Sequence, residues 1–144
     1  MFKIYILILF LFLVIDLPVI LWLNKDMYSN MFNKINGNTI GNTTVGSPTN
    51  MIIGGIIAYI LLALAIYYFI VMPSIETSKD NNFDYYNIIL KGCIMGLVIY
   101  GIYDGTNLAT INNFGLKEAI IDMMWGTFLS GLISVLAVKI STLL

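Results

Sequence analysis

The chain contains no histidine and no arginine, and Cys93 is its single cysteine. Each absence removes a class of chemistry. One cysteine cannot form an internal disulfide, and a chain without imidazole has neither a Cys/His zinc site nor a histidine-based catalytic triad. With lysine as the sole basic residue type there is no planar guanidinium fork for phosphate, and a net charge of -1 leaves no basic patch for nucleic acid. Charge of either sign is scarce, at 10% of residues, where a soluble domain carries about 25%.

What fills the chain instead is apolar. Hydrophobic residues make up 59% of the 144 residues, and the mean hydropathy is +0.90, which defines an integral membrane protein in the lipid bilayer. A membrane span needs roughly 17 to 25 mostly apolar residues. Four runs meet that length, at about 2–23, 51–72, 87–110 and 116–138. Continuous runs of this kind exclude the alternating pattern of barrel strands, and only helices or closed barrels satisfy every backbone group in hydrocarbon. The expected fold is therefore all-α: a polytopic membrane protein with four transmembrane helices and a single membrane domain over 1–144. The first run could be read as a signal peptide, but it is followed by "DLPVILWLNKDMY" with no small-residue cleavage site. It reads as a retained helix, bent near Pro18.

The connections are uneven. Residues 24–50 form a polar loop rich in Asn, Gly and Thr, a composition that disfavours regular structure. Asn42-Thr43-Thr44 fits a glycosylation sequon, and equally a loop that happens to hold these residues. The second helix is expected to end at Pro73, before the charged stretch "SIETSKDNNFD", and Tyr85 and Tyr86 read as interface anchors opening the third. The last connection, "INNFG", is short enough to make helices 3 and 4 antiparallel neighbours.

Against this background, "YDGTNLAT" at 103–110 places a carboxylate inside an apolar run. Asp16 lies seven residues before the end of the first run, Asp104 six before the end of the third, and Asp122 six after the start of the fourth. Helices 1 and 3 run the same way and helix 4 runs back. At about 1.5 Å per residue, all three acids then sit roughly 9 to 10 Å below the same membrane boundary. On helix 3, Tyr100, Asp104 and Asn107 share one stripe, and on helix 4 Glu118, Asp122, Trp125 and Gly126 do the same. An ionised Asp at a helix centre costs roughly 2.5 to 3.5 kcal/mol, and two carboxylates in a poorly hydrated site resist double ionisation. Asp16, Tyr100, Asp104, Asn107, Asp122 and Trp125 are accordingly the candidate intramembrane polar site. Hydrogen bonding, a bound cation or proton, or water would offset the cost.

Glycine supplies the packing signal. Gly92 with Gly96, and Gly101 with Gly105, are spaced for close helix approach on roughly opposite faces, which places helix 3 centrally between its neighbours. Gly126 gives helix 4 a matching small surface. The lipid-facing area of four such helices is large, so homo-oligomerisation through a glycine face is compatible with the pattern. The methionines and aromatic residues read as packing or lipid-facing groups. No cofactor motif and no metal-ligand set is present.

Residues 96–134, "GLVIYGIYDGTNLATINNFGLKEAIIDMMWGTFLSGLIS", resemble the signature of a family of small predicted membrane proteins, known mainly from bacteria and carrying no assigned function. The Tyr-Asp-x-Thr-Asn-Leu-Ala-Thr segment corresponds to Tyr103 to Thr110, and the Asp-x-x-Trp-Gly-Thr segment to Asp122 to Thr127. The helix 2 stretch "YILLALAIYYFIVMPSI" is similar to the family pattern as well. In helix 1 the family typically has an Asp followed closely by Trp, whereas here Asp16 and Trp22 are more widely spaced and Pro18 intervenes. The resemblance implies four helices, singles out Asp104, Asn107, Asp122 and Trp125, and implies no activity.

Three functions from different classes fit these residues. The first is a small transporter or channel-like protein whose carboxylates bind a proton, cation or polar solute. The second is a structural or accessory membrane protein, a viral one included, whose acids are packing glue. A membrane-embedded enzyme with paired aspartates comes third, because no nucleophile or metal-ligand set accompanies them. An even number of spans puts both termini on one side, and lysine counts of four against three lean towards a cytoplasmic N-terminus. On a Cys93-free background, single cysteines at 45 and 79 are expected to label from opposite sides of the membrane; labelling of both from the same side would overturn the topology.

Overall fold

In a computed structural model of the chain, the described residues are 2–23, 25–27, 29–30, 48–78 and 82–143. Each apolar run forms a helix, because in hydrocarbon the backbone must bond to itself. Helix α1 spans Phe2–Pro18 and widens into a π-helical turn at Val19–Leu23. Helix α2 runs over Pro48–Ile66, passes through a π-helical segment at Tyr67–Val71 and continues as α-helix over Met72–Thr77. Helices α3 and α4 cover Tyr85–Thr110 and Leu116–Ser141. All four are long and apolar enough to cross a membrane, over Phe2–Trp22, Ile52–Thr77, Tyr85–Thr110 and Leu116–Ser141, and the fold is all-helical among the described residues. Asn42 and most of the 24–50 loop lie outside the described residues.

Helix α2 does not end at Pro73. A proline inside a helix lacks an N–H and crowds the carbonyl four residues earlier, here that of Phe69. Phe69 lies within the π segment, where the wider turn makes room, so the helix carries through Pro73 to Thr77. Helix α3 starts at a conventional N-cap: the Asp84 carboxylate accepts from the Asn87 backbone N–H at 3.1 Å. Its end is closed by the Ile111 N–H donating to the Asn107 carbonyl at 2.8 Å. Asn113, at φ 64°, then turns the chain into α4, and asparagine is one of the few residues that tolerates this left-handed conformation.

The central helix is α4. Of its most apolar window 39% is buried, against 22% in each of the other three, which corrects the expectation that helix 3 would lie between its neighbours. Leu129, Ile133, Ala137 and Val138 of α4 join Ile8 and Phe12 of α1, the α2 residues Leu62, Ala63, Ile66, Ile70 and Val71, and Ile88 of α3 in one core. Helix α4 packs on α1, on α3 and on the π segment of α2.

The α3–α4 seam is the tightest contact. A Cβ at Gly92 would lie 2.6 Å from Ser134 Oγ and 2.8 Å from both Gly131 Cα and the Ser130 carbonyl, and one at Gly96 would run into the Gly126 carbonyl and Ser130. Gly101 has only Met123 Sδ at 3.8 Å, and Gly105 faces open space. The two glycine pairs therefore differ: one is buried in the seam and the other is not. Two hydroxyls of α4 bond back one turn, Thr127 to the Met123 carbonyl and Ser134 to the Ser130 carbonyl, both at 2.7 Å, whereas the buried Ser130 hydroxyl has no partner. Gly96→Ala should cost about 1 to 3 kcal/mol through overpacking, while Gly105→Ala should be within about 0.5 kcal/mol of the parent. Unfolding titrations of the two variants in mixed micelles check this, and equal costs would contradict the seam.

Candidate functional site

The acids fall into two groups, Asp16 with its donors and Asp104 with Asp122, and Tyr100 is within electrostatic reach of both. Asp16 stands two residues before Pro18 on α1 and is 4% exposed. Its oxygens accept two hydrogen bonds, from the Tyr59 hydroxyl of α2 at 2.9 Å and from the Trp125 Nε1–H of α4 at 2.7 Å. Tyr59 is reached at this depth because it lies seven residues into its span from Ile52, matching the six from Asp16 to Trp22. Three helices are thus tied at one acid. Phe12 packs against Tyr59 with ring centroids 6.5 Å apart, and Trp125 against Phe128 at 5.8 Å. Trp22, six residues beyond Asp16, points away with 78% exposure.

Tyr100 of α3 links this clamp to the other two acids. Its ring lies flat on the α4 backbone at Gly126, where any side chain would collide with it. Asp16, Tyr59, Asp104 and Asp122 all lie within electrostatic reach of its phenol. One turn along α3, Asp104 is fully buried, and neither of its carboxylate oxygens has a hydrogen-bond partner. Asp122 of α4 is its charged neighbour. Asn107 pairs with the half-exposed Tyr103. The structure therefore joins Asp16 to Trp125, sets Asp104 beside Asp122 with Tyr100 in reach of both groups, places Asn107 beside Tyr103, and leaves Gly101 and Gly105 outside the packed seam.

Tyr59 is the member that sequence reasoning missed. The available signal was a phenol near mid-span, away from the interfacial belt where tyrosine is at home. Among the described residues no three Cys, Asp or Glu side chains gather as a metal-ligand set. Chemically, the arrangement consists of one saturated acid, one unsatisfied acid beside a second carboxylate, and a phenol between them.

These features define an all-helical membrane protein with four helices long and apolar enough to span a bilayer. The chain belongs to the family described as predicted membrane protein (DUF2177), whose match covers residues 1–139. No curated protein and no solved structure matches it. Gly126→Ala should displace the Tyr100 ring and lower stability by about 1 to 3 kcal/mol. Adding Tyr100→Leu should recover part of that loss in the double variant, and strict additivity in the unfolding titration would rule out the ring contact.

Proposed function

We propose that the protein is a small proton-handling transporter or channel-like protein, with Asp104 and Asp122 as the proton-binding pair. The observation that carries this reading is the Asp104 carboxylate, fully buried with no hydrogen bond to either oxygen, beside a second acid. A buried polar group without a partner costs free energy, as Asp104 does here, and ionisable residues inside a membrane mark proton and ion pathways. A proton is the smallest ligand that neutralises such a site. It needs no ligand shell, whereas a metal ion would require a third donor.

A second reading, packing glue in a structural or accessory protein, is favoured by Asp16. With donors from Tyr59 and Trp125, that acid is satisfied across helix contacts, each such bond contributing about 1 kcal/mol in a membrane. The two readings divide the acids: Asp16 ties helices together, and Asp104 with Asp122 exchanges the proton. The test is dissipation of an imposed pH gradient in liposomes carrying the purified protein and a trapped pH-sensitive dye. Asp104→Asn should reduce the rate at least tenfold and Asp122→Asn should reduce it too, with both variants keeping the parent's elution profile and unfolding curve. Asp104→Asn protein that dissipates the gradient at the parent rate would refute the proton reading, and an inactive parent would favour the structural one.

A further inference from the structure

Asp104 is fully buried, so a proton reaches it only if the bundle opens, and the geometry indicates where. Helices α1 and α2 are tied to each other at three points, while α1 also packs on α4 through the buried Ile8 and Phe12. The Tyr5 hydroxyl donates to the Ile60 carbonyl at 3.2 Å, Tyr5 and Tyr67 pack edge to face at 5.9 Å, and Asp16 holds Tyr59. Helices α3 and α4 form the other pair, fused by the glycine seam. The Trp125 Nε1–H bond to Asp16 crosses from one pair to the other at the level of the acids.

Both members of the first pair carry a wide turn. In α1 it is the π segment Val19–Leu23 directly after Pro18, and in α2 it is Tyr67–Val71. Leu62, Ala63, Ile66, Ile70 and Val71 are buried in the core and pin α2 from one turn below Tyr59 downwards, whereas the faces at Ile52, Ile53, Ile56 and Ile57 above it are exposed. Single π turns recur at functional sites and interrupt the regular ladder. Tyr100 stands within reach of Asp16 on one side and of Asp104 and Asp122 on the other, so a change of charge at the pair is felt at the clamp.

Resting on the proton-handling reading above, we infer that the Asp16–Trp125 hydrogen bond is a latch: its release lets the α1–α2 pair swing about the two π segments and opens the Asp104–Asp122 site to water. Asp16 is a positioning residue in this scheme, and Tyr59, whose bond stays within the moving pair, is not part of the latch.

Ala119 provides the reporter. It is fully buried, three residues from the start of α4 and one turn before Asp122, on the way from the membrane boundary to the acids. On a Cys93→Ser, Ala119→Cys background in nanodiscs, a water-soluble maleimide should react slowly. Trp125→Phe, which keeps the aromatic ring and removes the N–H, should raise the rate at least tenfold, while Tyr59→Phe should leave it within twofold of the background. Asp16→Leu, which keeps the bulk and removes both acceptors, repeats the test without touching Trp125 and should also raise the rate at least tenfold. Background-level labelling in Trp125→Phe or Asp16→Leu protein that retains its unfolding curve would overturn the latch, and so would an equal rise in Tyr59→Phe. Labelling reads the latch without any flux: an inactive parent in the liposome assay would sink the proton reading alone, and unchanged labelling beside normal flux would sink the latch alone.

Discussion

Backbone contact between α3 and α4 sets the register on which the rest of the structure depends. In a bilayer, helices gain little from burying apolar surface against one another, because lipid is equally apolar, so close van der Waals approach has to hold them. Gly92 and Gly96 meet Ser130, Gly131, Ser134 and Gly126 with no room for a methyl group. That fit tolerates no sliding. Moving up the seam, Gly92 pairs with Ser134, Gly96 with Ser130, and Tyr100 with Gly126, and the next pair in the same order is Asp104 with Asp122. The carboxylates are neighbours because the glycines below them leave one register available.

The same constraint explains why the acids differ. Helix α4 is locked to α3 on one face and presents Trp125 to α1 on another, where its indole N–H meets Asp16 together with the Tyr59 hydroxyl. Asp16 therefore gains two donors from two other helices. Asp104 is buried beside α4, with the Asp122 carboxylate and the Tyr100 and Tyr103 phenols within electrostatic reach. Nothing there donates to it. Identical side chains thus acquire different chemistry from the helix faces that surround them.

Much of this was legible in the sequence, and the parts that were not have physical causes. The four spans followed from run length alone, since hydropathy directly measures what a bilayer selects. The pairing of helices 3 and 4 followed from the shortness of the connection between them, and with it the neighbourhood of Asp104 and Asp122. Two expectations failed for reasons that lie between helices. Pro73 looked like a stop because a proline ends an α-helix, but the π segment before it relieves the clash. Helix 3 looked central because it carries two glycine pairs, yet spacing cannot say which pair finds a partner, and Gly105 finds none. Tyr59 was passed over since a tyrosine in an apolar run is unremarkable until the acid that accepts from it is known to lie opposite.

The distribution of satisfied and unsatisfied polar groups bears on how so small a membrane protein could do work. A bundle in which every buried acid were bonded as Asp16 is would be rigid at that level, because each opening would leave donors and acceptors bare in hydrocarbon. A bundle with only unsatisfied acids would have nothing to hold the helices around them. This chain combines the two: a bonded acid joins the helix pairs, and an unbonded one lies a short distance away behind Tyr100. Opening the first costs the one hydrogen bond that crosses between the pairs, from Trp125, whose donor lies where water could enter with the opening and replace it. Opening the second exposes a carboxylate that loses no partner and gains hydration. The cost at one acid and the gain at the other have opposite signs, which narrows the free-energy gap between this arrangement and one opened at the acids.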